Sequence, residues 1–278
     1  TFNTVNAPET STISGNINGA GPLTKDGAGT LVLSGINSYL GTTTINSGTL
    51  ALAGPGFAIP DFSNVVLAAG VFDLNGTSET IGSLNGAVGT SVVLNGATLT
   101  TNGNGTTTDF QGVISGNGQL IKQGAGTLTL SGTNTFTGGL RVNAGVLDVD
   151  VDANLGGAGN VVTLSNATLN TDQFTQLVTS KNVVLEGNAI IDVGSDAVLN
   201  GVVSGSGSLI KNDGGQLQLT AANTYSGSTT INGGVLTAIG GSAIPDASAV
   251  NVLASFNTSS SETIGSLAGN GTVTLGLG

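Results

Sequence analysis

The chain has 278 residues and a net charge of −11, and its composition restricts both its chemistry and its partners. It contains no histidine and no cysteine, which excludes Ser-His-Asp triads, Cys-His pairs and imidazole zinc sites. Sixteen acidic residues against five basic ones disfavour binding to nucleic acid or to an anionic membrane surface. Because glycine is costly inside helices, the 47 glycines favour β-structure.

One pattern occurs three times, at residues 19–50, 116–147 and 205–236, and the copies align without a gap. Each begins G-x-G-x-L-x-K, continues to L-x-L and N-x-Y/F-x-G, and ends N-x-G-x-L. The lysines of successive copies are 97 and then 89 residues apart, so each long unit must contain several smaller steps. The signature residues are Gly19, Gly21, Leu23, Lys25, Asn37, Tyr39 and Gly41; Gly116, Gly118, Leu120, Lys122, Asn134, Phe136 and Gly138; and Gly205, Gly207, Leu209, Lys211, Asn223, Tyr225 and Gly227.

A second pair of motifs lies between the copies. The sequence AIPD at residues 58–61 and SETIGSL at residues 78–84 recur at 243–246 and 261–267. The second pair is two residues closer together, as expected of an intervening loop that tolerates changes in length.

Hydrophobic residues recur mostly with a period of two, which predicts short strands bounded by Gly, Asn, Ser and Asp turns. Sandwiches and barrels are alternatives, and a propeller would need two blades in each long unit. A right-handed parallel β-helix with about 20 residues per turn and roughly thirteen coils fits best. Residues 171–180 are the one helix candidate, of one or two turns.

The repeated signature resembles the autotransporter-associated β-strand repeat, also called the passenger-associated transport repeat, of Gram-negative autotransporter passenger domains. The third copy departs from it at Asp213 and Ala221, where the other copies have glycine. The resemblance implies a secreted or cell-surface parallel β-helix, exported through a C-terminal outer-membrane β-barrel of the same precursor. It also implies that the repeat assists secretion and folding, and that a passenger can be an adhesin or a toxin.

We therefore interpret residues 1–278 as a single β-helical passenger fragment, in which neither a signal peptide nor the C-terminal barrel is expected. The longest apolar run, Val65–Phe72, is too short to span a bilayer, so no direct membrane insertion is predicted. Besides the barrel, a host surface protein or glycan is the expected kind of partner, and no nucleic acid. No cofactor is predicted.

The segment from Asp148 to Asp152 reads Asp-Val-Asp-Val-Asp, and strand alternation would put Asp148, Asp150 and Asp152 on one face. The main interpretation is a solvated strand face. The alternatives are a Ca²⁺ site completed by Asn154, or an aspartate cluster like that of β-helical pectate lyases.

The repeat lysines and Arg141 are interpreted as surface charges, with the lysines on a solvent-facing strand edge that discourages aggregation. The aromatic residue of each copy is predicted to pack at a corner, with sugar stacking as the alternative. Threonine runs at 42–44, 106–108 and 229–230 are explained by β-propensity, with an ice-binding face as the alternative.

The expected function is a non-enzymatic structural stalk that assists export and presents an adhesive surface. The alternatives are a glycan-binding or host-protein-binding adhesin or toxin module, and a calcium-dependent polysaccharide lyase that uses the three aspartates.

Overall fold

The computed structural model describes residues 2–3, 9–54, 56–103, 105–171 and 175–276. The chain folds as an all-β parallel solenoid of about 13 turns, which confirms the predicted β-helix. It has two compact units, Thr1–Leu140 and Arg141–Gly278. Among the described residues, no helix has the length and apolar character needed to cross a membrane.

The first unit is built from short strands separated by turns. In chain order they are β1 (Phe2–Asn3), β2 (Thr10–Ile13), β3 (Asn18–Gly19), β4 (Leu23–Asp26), β5 (Thr30–Leu33), β6 (Ser38–Tyr39), β7 (Thr43–Ile45), β8 (Thr49–Leu52), β9 (Val65–Leu67), β10 (Val71–Asp73), β11 (Glu79–Ile81), β12 (Leu84–Gly86), β13 (Ser91–Val93), β14 (Thr98–Thr101), β15 (Thr108–Phe110), β16 (Val113–Ser115), β17 (Gln119–Lys122) and β18 (Thr127–Leu130).

These strands form parallel sheets in which each strand pairs with its equivalent one turn later. The longest runs in the order β1-β4-β7-β9-β12-β15-β18, and a second in the order β2-β5-β8-β10-β13-β16. The shorter ladders are β11-β14-β17 and β3-β6. Because Thr24 lies opposite Thr44, and Leu31 opposite Leu50, one turn takes about 20 residues, as the sequence predicts.

The second unit follows the same plan. Its strands are β20 (Val146–Val149), β21 (Val161–Ser165), β22 (Thr168–Thr171), β23 (Leu177–Thr179), β24 (Asn182–Glu186), β25 (Asn188–Val193), β26 (Asp196–Leu199), β27 (Val203–Gly205), β28 (Ser208–Asn212), β29 (Gln216–Leu219), β30 (Thr229–Ile231), β31 (Val235–Ala238), β32 (Ala249–Val252), β33 (Ser255–Thr258), β34 (Ser266–Gly269) and β35 (Thr272–Leu275); β19 (Leu140–Val142) contains the boundary. The parallel orders are β20-β22-β25-β28-β30-β32-β34, β21-β24-β27 and β23-β26-β29-β31-β33-β35.

Alternation along the strands builds the core of each unit. In β5, β18 and β29 every second residue is buried, so one side chain of each pair points inward. Register then stacks the inward residues of successive turns into ladders shielded from water. One such ladder consists of Leu31, Leu50, Phe72, Val92 and Ile114. Complete burial of each such side chain contributes roughly 1.5–3 kcal/mol.

The third copy has Asp213 where the other two copies have glycine, and the left-handed backbone at this position explains why aspartate can replace it. Gly27 and Gly124 have φ values of 77° and 75°, and Asp213 at the same position has φ 60°. Aspartate tolerates this conformation better than most side chains, so the turn keeps its shape without glycine.

The helix candidate at residues 171–180 contains no helix where the structure describes it. Residues 172–174 lie outside the described residues, but Thr171 ends β22, and Leu177–Thr179 forms β23. Among the described residues a 3₁₀ turn occurs at Asp152–Leu155, which the sequence did not predict.

Candidate functional site

The repeat lysines are buried, so their predicted solvent-facing position is wrong. Lys25, Lys122 and Lys211 are 0%, 1% and 0% exposed. Lys25 lies opposite Ile45 in its ladder, within the core row of the sheet. The spacing Leu23-x-Lys25 puts the lysine on the same strand face as the buried leucine. The prediction of a surface lysine gave more weight to its charge than to this alternation.

Each buried ammonium group binds main-chain carbonyls of the turn that follows its strand. Lys25 Nζ donates to Asp26 O at 2.9 Å, Gly27 O at 2.7 Å and Ser47 O at 3.0 Å. Since Ser47 belongs to the next turn, the bond ties two turns together. An ammonium has three donors, and carbonyls accept all three here.

The third copy repeats all three bonds, and the middle copy shares the two bonds to the residues that directly follow its lysine. Lys122 Nζ donates to Gln123 O at 3.3 Å and to Gly124 O at 2.9 Å. Lys211 Nζ donates to Asn212 O, to Asp213 O at 2.8 Å and, one turn on, to Gly233 O at 3.2 Å. We call each of these arrangements a lysine clasp.

Burial lowers the pKa of the lysines in the clasps. Removal from water lowers the pKa of Lys122 and of Lys211 to about 8, from the ordinary value of 10.5, and it also lowers that of Lys25. Asp213 and Asp192 partly oppose this shift at Lys211, as Asp26 does at Lys25.

The asparagine of the signature links three turns. Asn37 Oδ1 accepts from Ile17 N at 2.7 Å in the preceding turn, and Asn37 Nδ2 donates to Ala58 O at 2.6 Å in the next. Asn223 makes the equivalent bonds with Val203 N and Ala243 O, both at 2.7 Å. In the middle copy Asn134 Oδ1 accepts from Ile114 N at 2.8 Å.

The signature aromatics are buried, as the packing interpretation predicts, and offer no ring face for sugar stacking. In the first copy the Tyr39 hydroxyl lies 2.6 Å from Thr43 Oγ1, which lies 3.0 Å from Ser63 Oγ. The third copy repeats this hydroxyl chain through Tyr225, Thr229 and Ser248. The middle copy has Phe136 and, four residues on, Leu140, so hydroxyl and partner are replaced together.

The remaining signature residues set the spacing of the turns. Leu23, Leu120 and Leu209 are buried in the core. The last signature glycine of each copy stacks directly on the second one: a Cβ at Gly138 would lie 2.4 Å from Gly118 O, and one at Gly227 would lie 2.4 Å from Gly207 O. Only glycine permits this close approach. The first signature glycines are Gly19, Gly116 and Gly205, all with positive φ.

A buried glutamate explains the recurring AIPD and SETIGSL motifs, a role that the sequence analysis missed. The Glu79 carboxylate accepts from Ala58 N at 3.3 Å and from Ile59 N at 3.2 Å, so it anchors the AIPD loop of the preceding turn. In the third copy Glu262 Oε1 accepts from Ile244 N at 2.6 Å. Burial raises the pKa of Glu79 to about 7, and the two backbone donors oppose the rise. The recurrence of the two motifs about one turn apart was the available signal.

The three aspartates do not share a strand face, because β20 ends at Val149. Asp148 accepts from Asn170 Nδ2 at 2.6 Å. Asp152 begins the 3₁₀ turn, where it forms an ion pair with Lys181 at 2.8 Å. Val151, which strand alternation would place on the face opposite the aspartates, is exposed. Within the described parts of the chain, no group of three Asp or Glu side chains is arranged to hold a metal ion.

Arg141 lies at the surface, as predicted, but it is engaged there. Its guanidinium forms a bidentate pair with Glu186, and its Nε donates to Asn143 Oδ1 at 2.7 Å. The pair is about one third exposed, so water screens it and its contribution to stability is small.

An open groove of about 330 Å³ lies above the buried Tyr39 in the first unit. Four exposed apolar side chains line it: Ile36, Leu40, Phe57 and Phe62 are 54%, 81%, 52% and 80% exposed. Asp61 is also part of its lining. We call this surface the apolar groove; no sequence pattern predicted it.

Comparison with known protein families finds the same three repeats as the sequence signature. Three segments, residues 23–52, 120–149 and 209–238, match the family described as passenger-associated-transport-repeat. The chain contains three copies of the passenger-associated transport repeat. The lysine clasps, the asparagine links and the aromatic positions all derive from signature residues of its three copies.

Two relatives carry similar sequence. An adhesin autotransporter named BmaC, from Brucella suis biovar 1 (strain 1330), is 36% identical over 194 residues, which are 68% of this chain and 5% of that protein. An uncharacterized lipoprotein named YdeK, from Escherichia coli (strain K12), is 28% identical over 235 residues, 82% of this chain and 17% of that protein. The chain thus spans a small part of either relative. No solved structure matches it significantly.

Proposed function

We propose that this chain is a non-enzymatic stalk of an autotransporter passenger, which assists export and folding and presents an adhesive surface. The observation that carries the proposal is the lysine clasp. A buried lysine binds main-chain carbonyls in all three repeats, and in the first and third it also binds a carbonyl of the next turn. The partner for export is the C-terminal outer-membrane barrel of the same precursor. The passenger is then secreted or displayed on the surface of a Gram-negative bacterium.

Clasps of this kind suit a chain that folds as it emerges from a pore. In a solenoid each turn contacts only its neighbours, so a turn that is tied locally can fold before the rest of the chain is present. Lys25 needs only the turn after its own, through Ser47 O, to complete its three bonds. Successive clasps would hold exported turns outside and disfavour backward sliding.

The adhesive part of the proposal is supported by the relative named as an adhesin and by the apolar groove in the first unit. The lyase hypothesis has no comparable support, since Asp148 and Asp152 bond to different partners. Turnover of a polysaccharide by the purified chain would contradict the non-enzymatic assignment.

The export function is tested by replacing the three clasp lysines with methionine in the full-length precursor. Methionine keeps an apolar stem but leaves the carbonyls without their donor. We expect a severalfold loss of protease-accessible passenger at the cell surface. Lys181→Met is the matched control, because Lys181 is buried but lies outside the three repeats. Unchanged surface display of the triple variant, together with reduced stability of the purified chain, would contradict the export role.

A further inference from the structure

The apolar groove exposes side chains that the fold itself does not require. The third repeat provides an internal comparison, because the loops around Tyr225 keep the same buried asparagine, tyrosine and glutamate bonds. At the aligned positions of the third repeat, small residues replace all four apolar residues of the groove. Ile36, Leu40, Phe57 and Phe62 correspond to Ala222, Ser226, Ser242 and Ala247.

The middle repeat supports the same conclusion. At the positions of Ile36 and Leu40 it has Thr133 and Thr137, which are polar and exposed. The repeat therefore folds without large apolar side chains at these positions. Their accumulation in the first copy alone indicates a surface that is kept for contact with another molecule, since exposed apolar patches commonly mark interaction sites.

We propose that the apolar groove binds a peptide segment of a partner protein in which an aliphatic or aromatic side chain is flanked by lysine or arginine. This rests on the proposed adhesive function and assigns it a site. The apolar part follows from the two exposed phenylalanines and from Leu40, which would bury the anchor side chain.

Charge complementarity supplies the basic part. Asp61 lines the groove and is its only charged side chain. No lysine or arginine is among the groove residues, and the whole chain carries a net charge of −11. A cationic segment would thus be attracted, and an acidic one repelled.

A glycan fits this surface less well. The Tyr39 hydroxyl is already bonded to Thr43, and the most exposed groove side chains are hydrocarbon. Sugar hydroxyls placed against them would lose hydrogen bonds to water without replacement.

The test uses the purified full chain and arrays of twelve-residue peptides. One set carries a central Phe-x-x-Leu flanked by lysines, a second has glutamate for each lysine, and a third has serine for Phe and Leu. We expect binding to the first set only.

The variant Leu40→Ser/Phe57→Ser/Phe62→Ala copies residues of the third repeat, so it should fold. It should bind the first peptide set about tenfold more weakly, which corresponds to about 1.4 kcal/mol. Asp61→Asn should weaken binding to a smaller extent.

Val88→Ser is the matched control, because Val88 is equally apolar and exposed but lies outside the groove. It should bind the lysine set as the parent chain does. Equal binding by the triple variant, equal binding to the glutamate set, recognition of glycans alone, or loss of self-association as the only effect would each overturn the proposal.

A cell-adhesion assay separates this proposal from the adhesive function on which it rests. If the parent chain adheres and the triple variant adheres equally, the groove is not the site, and the adhesive function stands. If the parent chain binds the peptides through the groove but does not adhere to cells, the groove assignment stands, and the adhesive function fails.

Discussion

The repeat depends on its buried lysine. The position of this lysine was predicted wrongly, because strand alternation and charge indicated different positions. Alternation placed Lys25 on the face of Leu23, while the charge suggested solvent. The structure follows alternation, because the polar end of the side chain reaches carbonyls of the turn and only its hydrocarbon stem lies in the core. Sequence alone could not supply those carbonyl positions, which depend on the stacking of turns.

The lysine clasps predict an unusual dependence of stability on pH. The pKa of Lys122 and Lys211 is about 8 in the folded chain and about 10.5 when unfolded. Between these values the unfolded chain holds more protons, so the free energy of unfolding should rise as pH increases from about 8 toward 10. Urea midpoints measured from pH 7 to 9.5, below tyrosine ionisation, test this.

The matched variant for that measurement is Lys122→Met/Lys211→Met. It should be less stable at every pH, yet it should lack the upward slope of the parent chain above pH 8. A parent chain whose midpoint is flat or falls over this range, in parallel with the double variant, would contradict the burial of protonated lysines.

At the scale of elements, the sequence predicted strand character, turn length and the repeat boundaries, since these follow from alternation and turn residues. It failed at Asp150 and Val151, because nothing in the alternating pattern shows that β20 ends at Val149 and a 3₁₀ turn follows. The loop anchored by Glu79 was recognisable as a recurring motif, but its bonds to Ala58 and Ile59 required the structure.

The Glu79 anchor predicts local loosening when it is removed. Glu79→Ala leaves two buried backbone donors without an acceptor, which should cost about 1–3 kcal/mol. Amide hydrogen exchange at Ala58 and Ile59 should accelerate more than exchange in the β5 amides. Glu79→Gln, which keeps one acceptor oxygen, should retain protection at only one of the two amides, and equal exchange in all three proteins would refute the anchor.

The pKa shift of Glu79 changes stability with pH in the opposite direction to the pKa shifts of the lysines. Its pKa is raised to about 7 in the folded chain, so between about pH 4.5 and 7 the folded chain holds the additional proton. This contribution to stability is present at low pH and is lost as pH rises through 7.

At the scale of the whole molecule, each turn rests on its neighbours, and both units use the same parallel register. The sequence predicted this architecture because the signature recurs and its strands are short. It could not predict the apolar groove, because exposure of Leu40 and Phe62 depends on which loop edges remain uncovered. The stalk and adhesive roles both require that turns of about 20 residues stack in register.

Disulfide mapping tests that stacking most directly, since the chain contains no cysteine. Thr24 and Thr44 are Cα partners on adjacent turns, and Val66 is the partner of Thr44 one turn further on. Adjacent parallel strands lie about 4.8 Å apart, within disulfide reach, and two turns exceed it. Oxidation should therefore cross-link Thr24→Cys/Thr44→Cys and leave Thr24→Cys/Val66→Cys reduced. Cross-linking of the second pair but not the first would contradict the parallel β-helix.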